Sequence, residues 1–126
     1  MNRKEKINEY KKSIQPMGIY QIRNRVNGKI FIGSSKDLRG ILNRIKFQLK
    51  NNLHINKDMQ KDFNEVGAVN FSFEILDYLE PKENMKGDYT KELQTLEIMW
   101  LEQLKPFNEK GYNKKKPQTI ASGRPR

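Results

Sequence analysis

The most distinctive pattern in the chain is a pair of β-type runs, residues 18–24 and 29–33, that flank Asn27-Gly28. Asn-Gly between two such runs favours a β-hairpin with a two-residue turn. That turn would place Asn24 opposite Phe31, with Tyr20 and Gly33 on the same sheet face as Phe31. A third strand is predicted over residues 70–77, where Phe71, Phe73 and Ile75 alternate with polar residues.

Helical spacing of apolar residues predicts the remaining elements. Ser35 could cap a helix over residues 35–50, with an apolar stripe formed by Leu38, Ile41, Leu42, Ile45 and Leu49. Asn56 could cap a second helix that ends at Gly67, with Met59, Phe63 and Val66 facing inward. A third helix would begin at Asp88 or Thr90 and end at Leu104, with Leu93, Leu96, Trp100 and Leu104 facing inward.

These elements predict an α/β fold in the mixed (α+β) sense, with a small, mainly antiparallel three-stranded sheet flanked by helices. Residues 18–113 would form one domain. Residues 1–17 would be an N-terminal helical extension, with a marginal helix over 3–14 that Pro16 ends. Residues 114–126 would be a basic flexible tail.

Composition narrows the possible partners and chemistry. The 126 residues include 25 Lys+Arg and 15 Asp+Glu, and a net charge of +10 favours a polyanionic partner such as nucleic acid. The absence of cysteine and the single histidine exclude disulfides, thiolate catalysis and Cys/His zinc sites. A metal would therefore bind oxygen ligands, as Mg²⁺ and Mn²⁺ do. No apolar run is long enough to span a membrane and the start is charged, so we expect a cytoplasmic, intracellular protein.

Glu97 is a carboxylate on the apolar side of the third predicted helix, between Leu93 and Trp100. Carboxylates are rarely buried without a partner, so Glu97 is either a functional acid or a hydrogen-bonded structural one. Tyr20 also has two interpretations: it is either a functional hydroxyl or, as strand tyrosines often are, a packed aromatic.

Five motifs, in order, resemble the GIY-YIG endonuclease superfamily. They are Gly18-Ile19-Tyr20, Phe31-Ile32-Gly33, His54 followed by Asn56 and Gln60, Glu97 three residues before Trp100, and Gly111-Tyr112-Asn113. The resemblance covers residues 18–113 and implies a DNA endonuclease that uses one Mg²⁺ or Mn²⁺ ion. It implies that Glu97 binds the metal and that the Tyr20 hydroxyl directs the attacking water.

The chain departs from the family pattern at two positions. Phe31 lacks the hydroxyl of the family's second tyrosine, and Ile41 stands where the family has a phosphate-binding arginine. Arg44, one turn later, is the predicted substitute and third catalytic residue, with Arg39 as a weaker choice. The predicted substrate-binding residues are Phe31, Gly33, Ser35, Arg39, Lys46, His54 and Asn113.

Several of these residues also have a purely structural interpretation. Gly33 would permit close approach to the following helix, His54 could be structural, and Asn113 could end a turn. Two other functions stay open at this point: a degenerate member that binds nucleic acid without cutting it, and a protein-interaction module. The sequence does not decide the oligomeric state or the DNA sequence preference.

Overall fold

The computed structural model describes residues 16–80 and 89–114 of the chain. In chain order this part contains β1 (Gly18–Asn24), β2 (Ile30–Ser35), α1 (Leu38–Lys50), α2 (Lys57–Val66), β3 (Phe71–Tyr78) and α3 (Thr90–Leu104). No helix in these two ranges is long and apolar enough to cross a membrane. The predicted helix over 3–14, Asp88 and the tail beyond Lys114 lie outside the described residues.

The three strands form one antiparallel sheet in the order β2-β1-β3, which confirms the mixed α+β fold. β1 is central, and Ile19 and Ile22, which point to opposite faces, are both fully buried. One face, with Tyr20, Ile22 and Phe71, packs on α1 and α2. We call it the α1 face. The opposite face packs on α3 and is called the α3 face.

The hairpin forms, but the predicted two-residue turn is wrong. The Asn24 amide donates to the carbonyl of Lys29 (2.9 Å), so the loop contains four residues, and Ile22 rather than Asn24 lies opposite Phe31. The Asn24 carbonyl accepts from Gly28 N (2.8 Å) and its Oδ1 accepts from Val26 N (2.9 Å), which stabilises the longer loop. A shift of two residues preserves the faces, so Tyr20, Phe31 and Gly33 still share one side.

The first helix begins later than predicted, because β2 continues through Ser35. Asp37, not Ser35, is the N-cap, and its Oδ1 accepts from the Gly40 amide (3.0 Å). The predicted stripe is correct, since Leu38, Ile45 and Leu49 are buried and Ile41 and Leu42 pack against the core. The predicted bounds of the second helix, the Asn56 cap and the Gly67 stop, are also correct.

The predicted inward face of the third helix is only partly buried. Leu93 is 4% exposed, whereas Leu96, Trp100 and Leu104 are intermediate. The Trp100 indole donates to Asp77 Oδ2 (3.1 Å) on β3, which ties the middle of α3 to the edge strand of the sheet. The helix covers the sheet without forming a fully enclosed layer.

The segment after α3 returns to the outer edge of β2, and residues 107–113 are called the edge segment. The Tyr112 amide donates to the Ile30 carbonyl (2.8 Å). The Asn113 side chain accepts from Ile32 N and donates to Ile32 O, both at 2.8 Å, as the backbone of a neighbouring strand would. A Cβ on Gly111 would overlap the carbonyl oxygens of Pro106 and Ile30, so only glycine permits this approach.

Tyr112 anchors the edge segment in the interior. Its hydroxyl donates to Asp62 Oδ2 (2.7 Å) on α2 and accepts from the fully buried Asn24 side chain (3.0 Å). Burial and then the hydrogen bond to Asp62 raise the pKa of Tyr112 well above 10. The hydroxyl therefore joins the hairpin, α2 and the edge segment.

Tyr112→Phe should lower the free energy of unfolding by about 1–3 kcal/mol, because the buried Asn24 amide loses its hydrogen-bond acceptor. Urea unfolding at neutral pH measures the change. Tyr78→Phe, at a tyrosine that is 54% exposed, is the matched control and should leave stability unchanged. Equal stability of Tyr112→Phe and the wild type would show that the network does not stabilise the fold.

Candidate active site

Tyr20 lies near the start of β1, where the pairing with β3 is irregular. Ile19 pairs with Asp77 but Tyr20 pairs with Ile75, so Leu76 is an extra residue on β3. Such a bulge increases the local twist and redirects the neighbouring side chains. The Tyr20 side chain is 6% exposed and packs in the core of the α1 face.

Gly33 lies directly opposite Tyr20 on β2. A Cβ at this position would overlap the ring and hydroxyl of Tyr20. The prediction that Gly33 permits approach of the following helix is therefore wrong. Its missing side chain provides the space that the Tyr20 phenol occupies.

Glu97 approaches the same end of the sheet from α3. Its Oε1 accepts a hydrogen bond from Ser34 Oγ at 2.6 Å, and Ser34 points from β2 to the α3 face. Burial and, second, the negative charge of Glu97 raise the pKa of Tyr20 to about 12. Tyr20 packs on the α1 face, and Glu97 reaches the same end of the sheet from the α3 face, near enough for its charge to act on the Tyr20 hydroxyl. The two residues are 77 positions apart in the sequence.

Ser34 is a functional candidate that the sequence analysis missed. The alternation of β2 contained the signal: Phe31 and Gly33 share the Tyr20 face, so Ser34 must face α3, where Glu97 was predicted. The hydrogen bond restricts one oxygen of Glu97 and fixes the orientation of its carboxylate.

Phe31 lies between Tyr20 and His54. Its ring centroid is 6.3 Å from each of the other two rings, tilted against Tyr20 and edge-on to His54. His54 Nδ1 accepts from the Asn56 amide (3.0 Å), and burial lowers the pKa of His54 below 6.5. The imidazole is therefore neutral at pH 7 and carries its proton on Nε2, as a hydrogen-bond donor rather than a cation.

The basic residues of α1 divide between its two flanks. Ile41 packs against the core, and Arg44 is exposed three residues later on the neighbouring row of the same flank. Lys46 Nζ lies 5.2 Å from the centroid of the Phe73 ring, which places Lys46 on the β3 side of the helix. Arg39, seven residues before Lys46, shares that opposite flank.

Two predicted substrate-binding side chains make hydrogen bonds within the fold. Ser35 Oγ accepts from the Asp37 amide (2.9 Å) and donates to the Asp37 carbonyl (3.0 Å). Asn113 pairs with both backbone groups of Ile32. Ser35 supports the start of α1 and Asn113 supports β2, so each would influence a bound substrate through the position of its element.

The acidic side chains in the described part of the chain are compatible with a metal site that has one protein carboxylate. No group of three or more His, Asp or Glu side chains converges within residues 16–80 and 89–114. Glu97 is the carboxylate whose charge acts on Tyr20, and the hydrogen bond from Ser34 reaches its Oε1 rather than its Oε2. A site with one protein carboxylate, completed by water and substrate phosphate, is typical of Mg²⁺ rather than of zinc.

Comparisons with known proteins show a family and a fold that this chain shares. Intron-associated endonuclease 1 of Enterobacteria phage T4 is 38% identical over 52 residues, which are 41% of this chain and 21% of the length of that protein. The structure of the catalytic domain of homing endonuclease I-TevI matches with a TM-score of 0.63 and 29% identity, over 77% of this chain and 96% of that domain. A mutant of the same domain, with one glutamate replaced by alanine, matches with a TM-score of 0.63 and 28% identity, over 79% and 93%.

The family assignment rests on a match that spans most of the chain. A sequence model described as the GIY-YIG catalytic domain matches residues 16–113. This range includes the three strands, the three helices and the edge segment. The chain therefore belongs to the GIY-YIG family.

Proposed function

We propose that this protein is a divalent-metal-dependent DNA endonuclease that hydrolyses phosphodiester bonds. The observation that carries the proposal is that Glu97, held by Ser34, lies at the end of the sheet where Tyr20 pairs with Gly33, in a chain of the GIY-YIG family. The resemblance of the fold to homing-endonuclease catalytic domains and the net charge of +10 favour DNA as the substrate.

Glu97 is the proposed ligand for one Mg²⁺ or Mn²⁺ ion. When bound, the ion supplies charge neutralisation at the scissile phosphate and the leaving oxygen. Ser34 holds Glu97 Oε1 and directs the carboxylate. Glu97 is thereby oriented before the substrate arrives, which favours catalysis because little reorganisation is needed.

Tyr20 is the proposed group that positions the attacking water and accepts its proton. With a pKa of about 12 its hydroxyl is protonated at pH 7, so the phenolate is a very small fraction of the population. Neutralisation of the Glu97 charge would lower this pKa, because that charge is one of the two causes that raise it.

Cleavage should accelerate with pH, by about tenfold per unit between pH 7 and 9, because the phenolate fraction of a group with a raised pKa grows over that range. Single-turnover rates at saturating metal measure the dependence. In Tyr20→Phe the remaining activity should be low and nearly independent of pH. An unchanged slope in Tyr20→Phe would assign the proton acceptor to another group.

A cation besides the metal is needed where negative charge develops on the phosphate. Arg44 is the proposed provider, because it lies on the same flank of α1 as Ile41 and its side chain is exposed. The neutral His54 could donate a hydrogen bond through Nε2, but it carries no charge to share in this role.

DNA affinity should fall steeply with salt, with log affinity decreasing by about 0.9 per contacted phosphate for each tenfold rise in salt on duplex DNA. Fluorescence anisotropy with a labelled duplex in EDTA, over a range of about 50 to 300 mM KCl, measures the slope. An affinity that does not change over this range would mean that the basic residues do not contact phosphates.

A second candidate function is a nucleic-acid-binding protein that does not cleave. The packing of Ile41 against the core and the missing hydroxyl at Phe31 favour it. Nicking of supercoiled plasmid with Mg²⁺ or Mn²⁺ separates the two candidates. Nicks that depend on metal support the endonuclease, whereas salt-dependent binding without nicks supports the second candidate.

A further inference from the structure

The loop of residues 51–56, between α1 and α2, presents two large apolar side chains to solvent. Leu53 is 63% exposed, and Ile55, at 88%, is the most exposed large apolar side chain in the described ranges. His54, between them, packs instead against Phe31 beside Tyr20. The 51–56 loop therefore forms part of the rim of the candidate active site.

The exposure of Ile55 is imposed by a well-fixed backbone. The Leu53 amide donates to Gln48 O (2.7 Å) and the His54 amide donates to Gln60 Oε1 (3.0 Å). Gln60 is itself anchored, because its side-chain Nε2 donates to Leu49 O (2.9 Å). The loop cannot turn Ile55 inward without breaking such bonds, so the side chain is preorganised for an external contact.

The far side of the loop is anchored as well. The Asn56 side chain donates from Nδ2 to the Tyr112 carbonyl (2.7 Å), and its backbone amide donates to His54 Nδ1 (3.0 Å). The residue after the exposed isoleucine is therefore tied to the edge segment. Both ends of the loop are held, and the exposed apolar side chains of Leu53 and Ile55 are available to a partner.

The surroundings of the loop are cationic. Lys50 and Lys57 bracket it and are exposed, and Arg44 lies on the preceding helix. The nearest acid in sequence, Asp58, pairs with Lys114 at 3.5 Å. A partner that carries negative charge and also offers flat apolar surfaces matches this combination, and nucleic acid has both in its phosphates and base faces.

We propose that the 51–56 loop is a wedge, with Ile55 at its tip and Leu53 beside it, that inserts against the bases of DNA next to the bond to be cut. This inference rests on the proposed function, since it requires DNA over Tyr20 and Glu97. Apolar side chains inserted at a base step partly unstack the step and bend the duplex. The bend would bring the scissile phosphate closer to the candidate active site.

The test uses the full chain and a duplex with 2-aminopurine at successive positions, in EDTA so that no strand is cut. Binding of the wild type should raise the fluorescence at one or two adjacent positions, because unstacking relieves quenching of this base. Ile55→Ser should abolish the rise and weaken affinity by about tenfold, as expected for loss of one buried aliphatic contact. Its salt dependence should equal that of the wild type, because no phosphate contact is lost.

Val69→Ser is the matched control. Val69 is 78% exposed and lies beyond the opposite end of α2, a helix of 10 residues that is about 15 Å long. Val69→Ser should give the same 2-aminopurine fluorescence and the same DNA affinity as the wild type. Far-UV circular dichroism and thermal melting should match among the three proteins, because both substituted side chains are exposed.

Other outcomes would overturn the proposal in distinguishable ways. Ile55→Ser that binds and unstacks DNA like the wild type rejects the wedge but leaves the proposed function intact. Self-association of the wild type that Ile55→Ser removes, together with unchanged DNA binding, would assign the loop to a protein contact. Absence of DNA binding by the wild type at low salt would reject the DNA substrate and the wedge together.

Discussion

Glu97→Gln should reduce metal-dependent DNA cleavage by about a hundredfold or more, a loss typical of removing one preorganised electrostatic group at a reacting phosphate. Glutamine keeps the size of the side chain and can still accept from Ser34 Oγ, so the fold should be retained. The neutral amide is a poor ligand for Mg²⁺, so a higher concentration of metal should not restore the rate. Single-turnover cleavage across a titration of Mg²⁺ and Mn²⁺ measures both effects.

Glu102→Gln is the matched control for this prediction, because Glu102 is an exposed acid on the same helix. It should cleave like the wild type. Ser34→Ala should give an intermediate result, with a raised metal requirement and a nearly normal rate at saturation, because it frees Glu97 without removing its charge. Full activity of Glu97→Gln at ordinary metal concentrations would remove the assignment of this residue as the metal ligand.

Arg44→Ala should also lower cleavage by about a hundredfold, because the developing charge on the phosphate would lose the cation that we propose for it. The helix should be unaffected, since the Arg44 side chain is exposed. Arg39→Ala removes the same charge from the opposite flank of α1 and should change the rate little. The two variants keep equal net charge, so comparison of their single-turnover rates isolates the position of the arginine.

A double variant that restores the family pattern, Phe31→Tyr with Ile41→Arg, gives an independent check. If the wild type is inert and this variant cuts, the protein is a binder that has lost cleavage. If the wild type cuts and Arg44→Ala cuts equally well, Arg44 does not replace the family arginine at Ile41, and another cation must stabilise the phosphate.

Features that depend on local periodicity could be predicted from the sequence. The stripe of α1 and the bounds of α2 follow from apolar spacing and from the Asn56 cap, which act within a few residues of each other. The faces of Tyr20 and Phe31 were also predictable, because a register shift of two residues leaves every side chain on the same face of the sheet. The approach of Glu97 to Tyr20 followed from the family resemblance, not from the periodicity.

Features set by single hydrogen bonds or by distant contacts could not be predicted. The hairpin register depends on Asn24, whose carbonyl and side chain select a four-residue loop although Asn-Gly alone favours a two-residue turn. The space beside Gly33 is filled by Tyr20 because of that register. The pairing of Asn113 with Ile32 joins positions 81 residues apart, and nothing in the local sequence indicates it.

The edge segment changes what its Gly-Tyr-Asn motif can indicate about activity in related chains. Gly111, Tyr112 and Asn113 close β2 and connect it to the hairpin and α2 through hydrogen bonds that do not involve Tyr20 or Glu97. Selection for folding alone would therefore retain all three residues in a descendant that had lost cleavage altogether. We therefore expect the motif to indicate the fold rather than cleavage, and inactive relatives should carry it as often as active ones.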